Sequence, residues 1–356
     1  MVFSRYSTLK DTVKLSLVLD ELVEEKGLNR VALGTIMCEG MLAAYEKKFP
    51  DVRFQVKYDE QADDLRVFAE KIVVPVVENE EQQISIKKAK FIDPVLKEGD
   101  VVLLPFEEKI GRIEILRAKQ IIASKIRKME ADIVFNEFKK KEGTIVYGVI
   151  HKVEPVGVTI KLQDHLAFMP RSLSIPTDKY VVGHSIRALL KEVLPEPRNE
   201  NQLILDRASE QFLRVLFELE IPEIFERIIV IKKIVRSAGY KSKVAVLSTD
   251  KNIDPVGTCV GVGGARIKPI LKELGGEKID IISWTDSLAD LVASALKPAE
   301  INKVEIVDGK VAQVWLDEDQ RSIAIGKLGQ NISLASRLVG LEINLVQSAS
   351  LTEREV

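Results

Sequence analysis

The sequence is short of the residues that usually carry catalysis or hold metals. Its 356 residues include two cysteines and three histidines. Cys38 and Cys259 lie too far apart for a disulfide framework or metal-ligand spacing. His151, His165 and His184 pair with no cysteine at a useful interval, so no metal or other cofactor is expected. Long apolar runs are missing too, which excludes a transmembrane helix. The N-terminal MVFSRYSTLKDTVKL has neither the apolar core nor the small-residue cleavage site of a signal peptide. A soluble, reducing, cytoplasmic setting is expected. Nor is there an excess of charge of one sign: 52 Lys and Arg face 54 Asp and Glu, a net of −2. The whole chain therefore lacks the basic surplus of a generic nucleic-acid binder. With 30% charged and 46% hydrophobic residues, the composition is that of a folded protein rather than a disordered one. The length suggests two to four domains.

Charge is unevenly spread. Residues 51–100 carry eight basic and twelve acidic side chains, whereas residues 227–243 hold Arg227, Lys232, Lys233, Arg236, Lys241 and Lys243 with no acid. The first window would repel RNA and suit a basic patch on a protein partner. Each window also reads as an ordinary solvated face.

Apolar spacing predicts helices over 12–26 and 30–48, then strands over 52–58 and 65–77. Residues 86–98 give no clear pattern. From 111 to 140 the period is helical and free of proline, enough for a helix of about 40 Å that joins or braces domains. After Gly143 the period becomes two. Five short strands follow (144–149, 156–162, 166–169, 185–193 and 202–205), separated by Pro, Gly, Gln-Asp and Asn turns. They suit a closed barrel of the oligonucleotide-binding type, with a five-stranded SH3-like barrel as the rival. A short helix over 208–221 precedes strands 228–235 and 241–247, so the basic window is a hairpin with its charges projecting from strands.

Residues 253–284 and 319–347 resemble each other, an internal repeat. Each reads helix, Gly-x-x-Gly, helix, glycine turn, strand, with Gly261 and Gly264 in the first copy and Gly326 and Gly329 in the second. A hairpin over 303–307 and 311–316, turned at Asp308-Gly309, precedes the second copy. Glycines let the loop backbone approach a partner, and the start of the next helix directs free N–H groups outward. This is the K-homology arrangement, which clamps about four nucleotides. One Gly-x-x-Gly alone is a common helix–helix turn; two in the same frame, each behind a hairpin, are far more specific. Nucleotide-loop signatures fail, because Gly-Val-Gly-Gly-Ala-Arg is not Gly-x-Gly-x-x-Gly and Leu328, not Ser or Thr, follows Lys327.

A barrel followed by two K-homology units, behind a helical N-terminal part, resembles the NusA family of bacterial transcription factors. The resemblance rests chiefly on DPVGTCVG (254–261), LGGEKIDIISW (274–284), IAIGKLGQN (323–331), LFELEIPEI (216–224) and GYKSKVAV (239–246). It implies an α+β multidomain fold: an N-terminal helical/α+β domain that binds RNA polymerase, with a long connecting helix, over 1–140; an S1 (OB-fold) β-barrel over 141–207; and two tandem type II K-homology domains over 208–298 and 299–356. It also implies a cytoplasmic, non-enzymatic RNA-binding factor that engages elongating RNA polymerase and nascent single-stranded RNA. Such a factor modulates pausing, intrinsic termination and antitermination, together with other antitermination factors. A monomer with no membrane contact is expected. The first loop, with Val262 and Gly263 between its glycines, departs from the charged or polar residues common in that family.

The candidate RNA contacts are Gly261, Val262, Gly263, Gly264, Arg266 and Lys268 in the first unit. In the second they are Gly326, Lys327, Leu328, Gly329, Gln330 and Asn331. From the basic hairpin come Lys232, Arg236, Lys241 and Lys243. On the barrel, Tyr147, His151, His165, Phe168 and Arg171 are candidates for base stacking or phosphate contact, although Phe168 also reads as core and His165 as a turn residue. Cys259 and Trp284 read as core. An RNA-processing or ribosome-associated adaptor with the same barrel–KH surface is the alternative function. An enzyme would need a carboxylate cluster, and the one tight acidic triplet, Asp317-Glu318-Asp319, reads as a helix cap.

Overall fold

The computed structural model describes residues 15–26, 28–59, 62–198 and 201–347. Contacts divide it near residue 134 into two units. The first begins with α1 (Leu15–Lys26) and α2 (Arg30–Lys48). Asn29 caps α2 by accepting from the Val31 and Ala32 amides. A four-stranded sheet follows: β1 (Arg53–Asp59), β2 (Asp64–Val74), β3 (Gln83–Ser85) and, after α3 (Ile86–Ile92), β4 (Val101–Pro105). Strand β2 is central, antiparallel to β1 and β4 and parallel to β3. The unpatterned stretch 86–98 thus holds a seven-residue helix between two strands too short to show a period. Tyr45, Phe49, Phe54 and Phe106 pack in tilted and edge-on pairs, with ring centroids 4.9–6.1 Å apart. The long helix α4 runs Arg112–Phe138, about 40 Å at 1.5 Å per residue.

The second unit opens with a five-stranded barrel of β5 (Ile145–Glu154), β6 (Gly157–Leu162), β7 (His165–Pro170), β8 (Ser185–Arg198) and β9 (Asn201–Asp206). The strands close in the order β5-β6-β7-β9-β8. Its third and fifth strands, β7 and β9, run parallel and the other pairs antiparallel. That order is the oligonucleotide-binding one, which the strand periodicity alone left open. Ile160, Ala167, Met169, Leu190, Leu203 and Leu205 fill the interior.

Two similar units come next. The first has α5 (Glu210–Glu220), short α6 (Pro222–Phe225), β10 (Ile229–Ser237), β11 (Lys241–Ser248), α7 (Pro255–Val260), α8 (Ile267–Glu273) and β12 (Lys278–Ser283). The second has α9 (Leu288–Leu296), β13 (Lys303–Val307), β14 (Val311–Leu316), α10 (Glu318–Ile325), α11 (Gln330–Val339) and β15 (Glu342–Gln347). In each, an antiparallel hairpin gains a third strand parallel to its second, the type II K-homology arrangement. Helix α9 sits in the second unit's core, where Leu291, Val292, Ala295 and Leu296 join Val314, Leu334 and Leu338. The boundary expected at 298–299 falls after this helix, and its packing favours a junction at 285–287. Val235, Ala245 and Ile282 of the first sheet belong to the same cluster, so the two units share apolar core.

Buried polar groups also link these parts. Arg236, wholly buried, donates from Nε and Nη2 to the Glu277 carboxylate at 2.8–3.2 Å. Glu277 also accepts from the Gly239 amide and the Ser242 hydroxyl. A buried charge left without its partner typically costs about 3–5 kcal/mol. Glu277→Ala is therefore expected to destabilise the first K-homology unit, and the part of the chain packed with it, by about that much, read as a lower urea midpoint by circular dichroism. An unchanged midpoint would show that the pair is dispensable.

Candidate nucleic-acid interface

The two Gly-x-x-Gly loops have nearly the same backbone. Gly261 and Gly326 stand at φ/ψ 73°/166° and 71°/177°, a region open in practice only to glycine. A Cβ at either would also meet the next helix, 2.9 Å from Arg266 Cγ in the first loop and 2.7 Å from Asn331 Cβ in the second. Gly263 and Leu328 share the left-handed region at φ 59° and 55°, where leucine carries a conformational cost that glycine does not. Gly264 and Gly329 follow at φ 78° and 70°. Their amides bond back to the Gly261 and Gly326 carbonyls at 3.0 and 3.1 Å. Around these last glycines the space is open, with nothing within 4 Å of a Cβ at Gly329 and only ordinary contacts at Gly264. Each loop therefore presents bare backbone behind an exposed tip: Val262 is 97% exposed and Leu328 86%. Lys268 and Lys327 are exposed beside them, and Gln330 is half-buried.

Two of the side chains expected to help these loops are engaged elsewhere. Arg266 donates to the Glu223 carboxylate at 2.7 Å and to the Thr258 carbonyl at 3.1 Å. Partial burial pushes the Glu223 carboxyl up, but the Arg266 hydrogen bond holds it below its ordinary value. Asn331 is buried, its amide donating to the Leu296 and Ala324 carbonyls at 3.1 and 3.2 Å. Its side-chain oxygen accepts from Lys241 at 3.0 Å, so both residues tie the second loop to the first sheet.

The basic hairpin differs most from expectation. Arg236 is buried against Glu277, and the fully buried Lys243 donates to Asp280 at 2.7 Å. Lys241 reaches the same carboxylate at 2.8 Å. Burial pushes the Lys243 ammonium below its ordinary pKa, against the pull of Asp280. Half of the six positive charges therefore stabilise the fold from inside. Lys232 and Arg227 remain exposed, and Lys233 is half-buried.

On the barrel, Tyr147 is 66% exposed on β5, with the Arg187 guanidinium of β8 6.0 Å from its ring centroid. His151 and Arg171 are exposed. Phe168 faces outward on β7, half-buried, its ring lying across Gly157 where a Cβ would strike it. His165 packs edge-on against Phe138 at 5.3 Å, with Nε2 3.5 Å from the Glu137 carboxylate. It packs against the end of α4. The sequence reading missed Lys179, His184 and Lys272, which line one groove with Tyr147 and Lys268. Nothing local joins positions so far apart in the chain; only the fold does.

Cys259 is buried, and burial pushes its thiol up to about 12. Trp284 packs partly buried against the second unit's core. Asp317 occupies the N-cap position of α10, but its side chain accepts from Asn302 at 2.9 Å rather than from the helix. Among the described residues, no cluster of His, Cys, Asp and Glu is arranged to hold a metal ion. No described helix is long and apolar enough to cross a membrane.

Comparison with known proteins matches three family models. They are the NusA N-terminal domain over residues 14–132, the NusA-like first KH domain over 207–284 and the NusA-like second KH domain over 288–353. The transcription termination/antitermination protein NusA of Thermus thermophilus is 38% identical over 279 residues, 78% of this chain and 72% of that protein. The proteins of the same name from Bacillus subtilis and Halalkalibacterium halodurans are each 32% identical. Their alignments cover 93% and 94% of this chain and 90% and 88% of theirs.

The two glycines of a loop serve different needs, and substitution separates them. Gly326→Ala meets both a clash and a forbidden backbone and should cost about 2–4 kcal/mol. Gly329→Ala pays only for its left-handed φ and should cost about 1–2 kcal/mol. Chemical denaturation of the two variants checks the order, and equal losses would contradict it.

Proposed function

The chain belongs to the NusA family of transcription termination/antitermination proteins, and on that premise we propose how its parts divide the work. The paired Gly-x-x-Gly loops hold nascent single-stranded RNA, and the N-terminal unit engages the elongating RNA polymerase. The observation that carries this reading is the repetition of one loop conformation, φ by φ, in two K-homology units that share apolar core. Each loop offers backbone and an apolar tip to about four nucleotides. RNA passing from one loop to the other is read mainly by shape and stacking.

Little of the binding is long-range electrostatics. With Arg236, Lys241 and Lys243 neutralised internally, the remaining cations are scattered instead of gathered on the hairpin, and affinity for free RNA is modest. Attachment to polymerase supplies the rest, because a tethered site sees nascent RNA at high effective concentration. The acidic window 51–100 supports a protein-facing role for the first unit: Glu78, Glu80 and Glu81 stand exposed at the turn between β2 and β3, a surface that suits a basic partner. The factor acts as a monomer in the cytoplasm, alongside other antitermination factors, by binding and without a catalytic step. An adaptor on ribosomal RNA is less favoured, since the relatives that match most of the chain are named for transcription termination and antitermination.

The loop test uses Gly264→Asp with Gly329→Asp. Gly261 and Gly326 are left intact, because a side chain there would break the turn itself. Aspartate tolerates the left-handed region and places a carboxylate where phosphate would lie. Like charges juxtaposed at an interface cost several kcal/mol, so RNA affinity in a fluorescence anisotropy titration should fall about a hundredfold, while the melting temperature falls by about a few degrees and the variant stays folded. Unaltered affinity in a folded variant would overturn the reading. For the first unit, full chain should be retained on immobilised RNA polymerase and a chain lacking residues 1–140 should not. Equal retention would remove polymerase from the role of that unit.

A further inference from the structure

The two glycine loops share a backbone but not an anchor. The fifth residue after the first glycine is Arg266 in one loop and Asn331 in the other. Each lies against that glycine, where an added Cβ would come within 2.9 Å of Arg266 Cγ and 2.7 Å of Asn331 Cβ. Each also bonds back to the helix before its loop. Arg266 donates to the Thr258 carbonyl of α7 at 3.1 Å, and Asn331 to the Ala324 carbonyl of α10 at 3.2 Å. The two residues therefore staple the ends of their loops together.

What holds each staple differs. Arg266 is fixed inside its own unit, by the Glu223 carboxylate of α6 at 2.7 Å. Asn331 is fixed from the other unit: its side-chain oxygen accepts from Lys241 of β11 at 3.0 Å. Lys241 is aimed by Asp280 of β12 at 2.8 Å, and Asp280 is held by the fully buried Lys243 at 2.7 Å. Asn331 is 3% exposed and its amide nitrogen is already committed to the Leu296 and Ala324 carbonyls. Without Lys241 the buried oxygen would bear its full desolvation penalty.

We propose that Lys241 is a positioning residue for the second loop: through Asn331, the first K-homology unit sets the conformation of 326–329, whereas the loop at 261–264 is set within its own unit. The link to binding rests on the reading that the loops hold RNA. Lys241 then serves RNA at one remove, through the amide it orients and not through a phosphate. Because coupling between sites is reciprocal, RNA held by the second loop steadies the contact between the units in turn.

Hydrogen exchange of the full chain, followed by mass spectrometry, tests the link before any RNA is added. The Gly261, Gly264, Gly326 and Gly329 amides are all hydrogen-bonded. In Lys241→Met, the segment 326–331 should exchange about tenfold faster, while 261–266 keeps the wild-type rate. Lys241→Arg should restore protection. Glu223→Ala should do the converse, quickening 261–266 and sparing 326–331. Lys241→Gln is read in the same way should the methionine variant fold poorly. Anisotropy titrations then use a fluorescein-labelled oligoadenylate long enough to reach both loops. Lys241→Met should lower affinity about threefold or more in the wild-type and Gly264→Asp chains, and leave it unchanged in the Gly329→Asp chain. An equal loss in all three would show that Lys241 meets RNA itself or supports the whole unit, and would overturn the proposal. Unchanged exchange over 326–331 would overturn it too. If Gly329→Asp alone binds RNA as wild type does, the reading of that loop is wrong, and the exchange result still judges the link.

Discussion

A run of three arginines, two of them buried, fixes the geometry on which the barrel and the K-homology units depend. Arg207, at the end of the barrel, is 3% exposed and reaches Asp178 in a barrel loop and Glu273 at the end of α8. Its own carbonyl accepts from Arg236 at 2.7 Å. Arg236 closes on Glu277, and its carbonyl accepts from Arg337 of α11 at 3.3 Å. Arg337 is also 3.3 Å from Glu210 of α5. Phe212 lies under both buried guanidinium groups, at 5.2 and 5.8 Å. Barrel, first K-homology unit and second unit are thus joined by one run of charge-assisted hydrogen bonds, a class stronger than neutral ones. Apolar sharing at Val235, Ala245 and Ile282 adds non-directional attraction; the arginines add direction. Together they set the distance and angle between the two glycine loops.

That constraint has a consequence for recognition. Cations that hold a fold together are withdrawn from solvent and from any ligand. Arg236, Lys241 and Lys243 lie in the most basic stretch of the sequence, yet each meets a carboxylate of the first unit. What remains for RNA is backbone in two loops, apolar tips at Val262 and Leu328, and scattered lysines. The near-neutral total of 52 bases against 54 acids is then compatible with RNA binding, because the binding does not need a large positive field.

Much of this architecture was legible in the sequence, and what was missed follows a pattern. The second hairpin was placed at 303–307 and 311–316, where it is found, because Asp308-Gly309 and alternating residues are local signals. The repeated Gly-x-x-Gly frame and the long helix before Gly143 were likewise visible. Strands β3 and β4 were not, being too short to establish a period. Helix α9 was passed over because its apolar residues serve a core that lies mainly after it in the chain. The hairpin charges misled for a deeper reason. Glu277 and Asp280 lie about 35 to 41 positions from their partners, beyond the reach of any window count. The groove residues Lys179 and Lys272 escaped for the same cause.

The central claim is that RNA is held by the loop backbones and not by the basic hairpin. Amide hydrogen exchange of the full chain, with and without a short single-stranded RNA, tests it most directly. The account predicts slower exchange across 261–264 and 326–329 on adding RNA, with the hairpin 229–248 unchanged. Protection confined to the hairpin, with both loops exchanging as in the free protein, would contradict it.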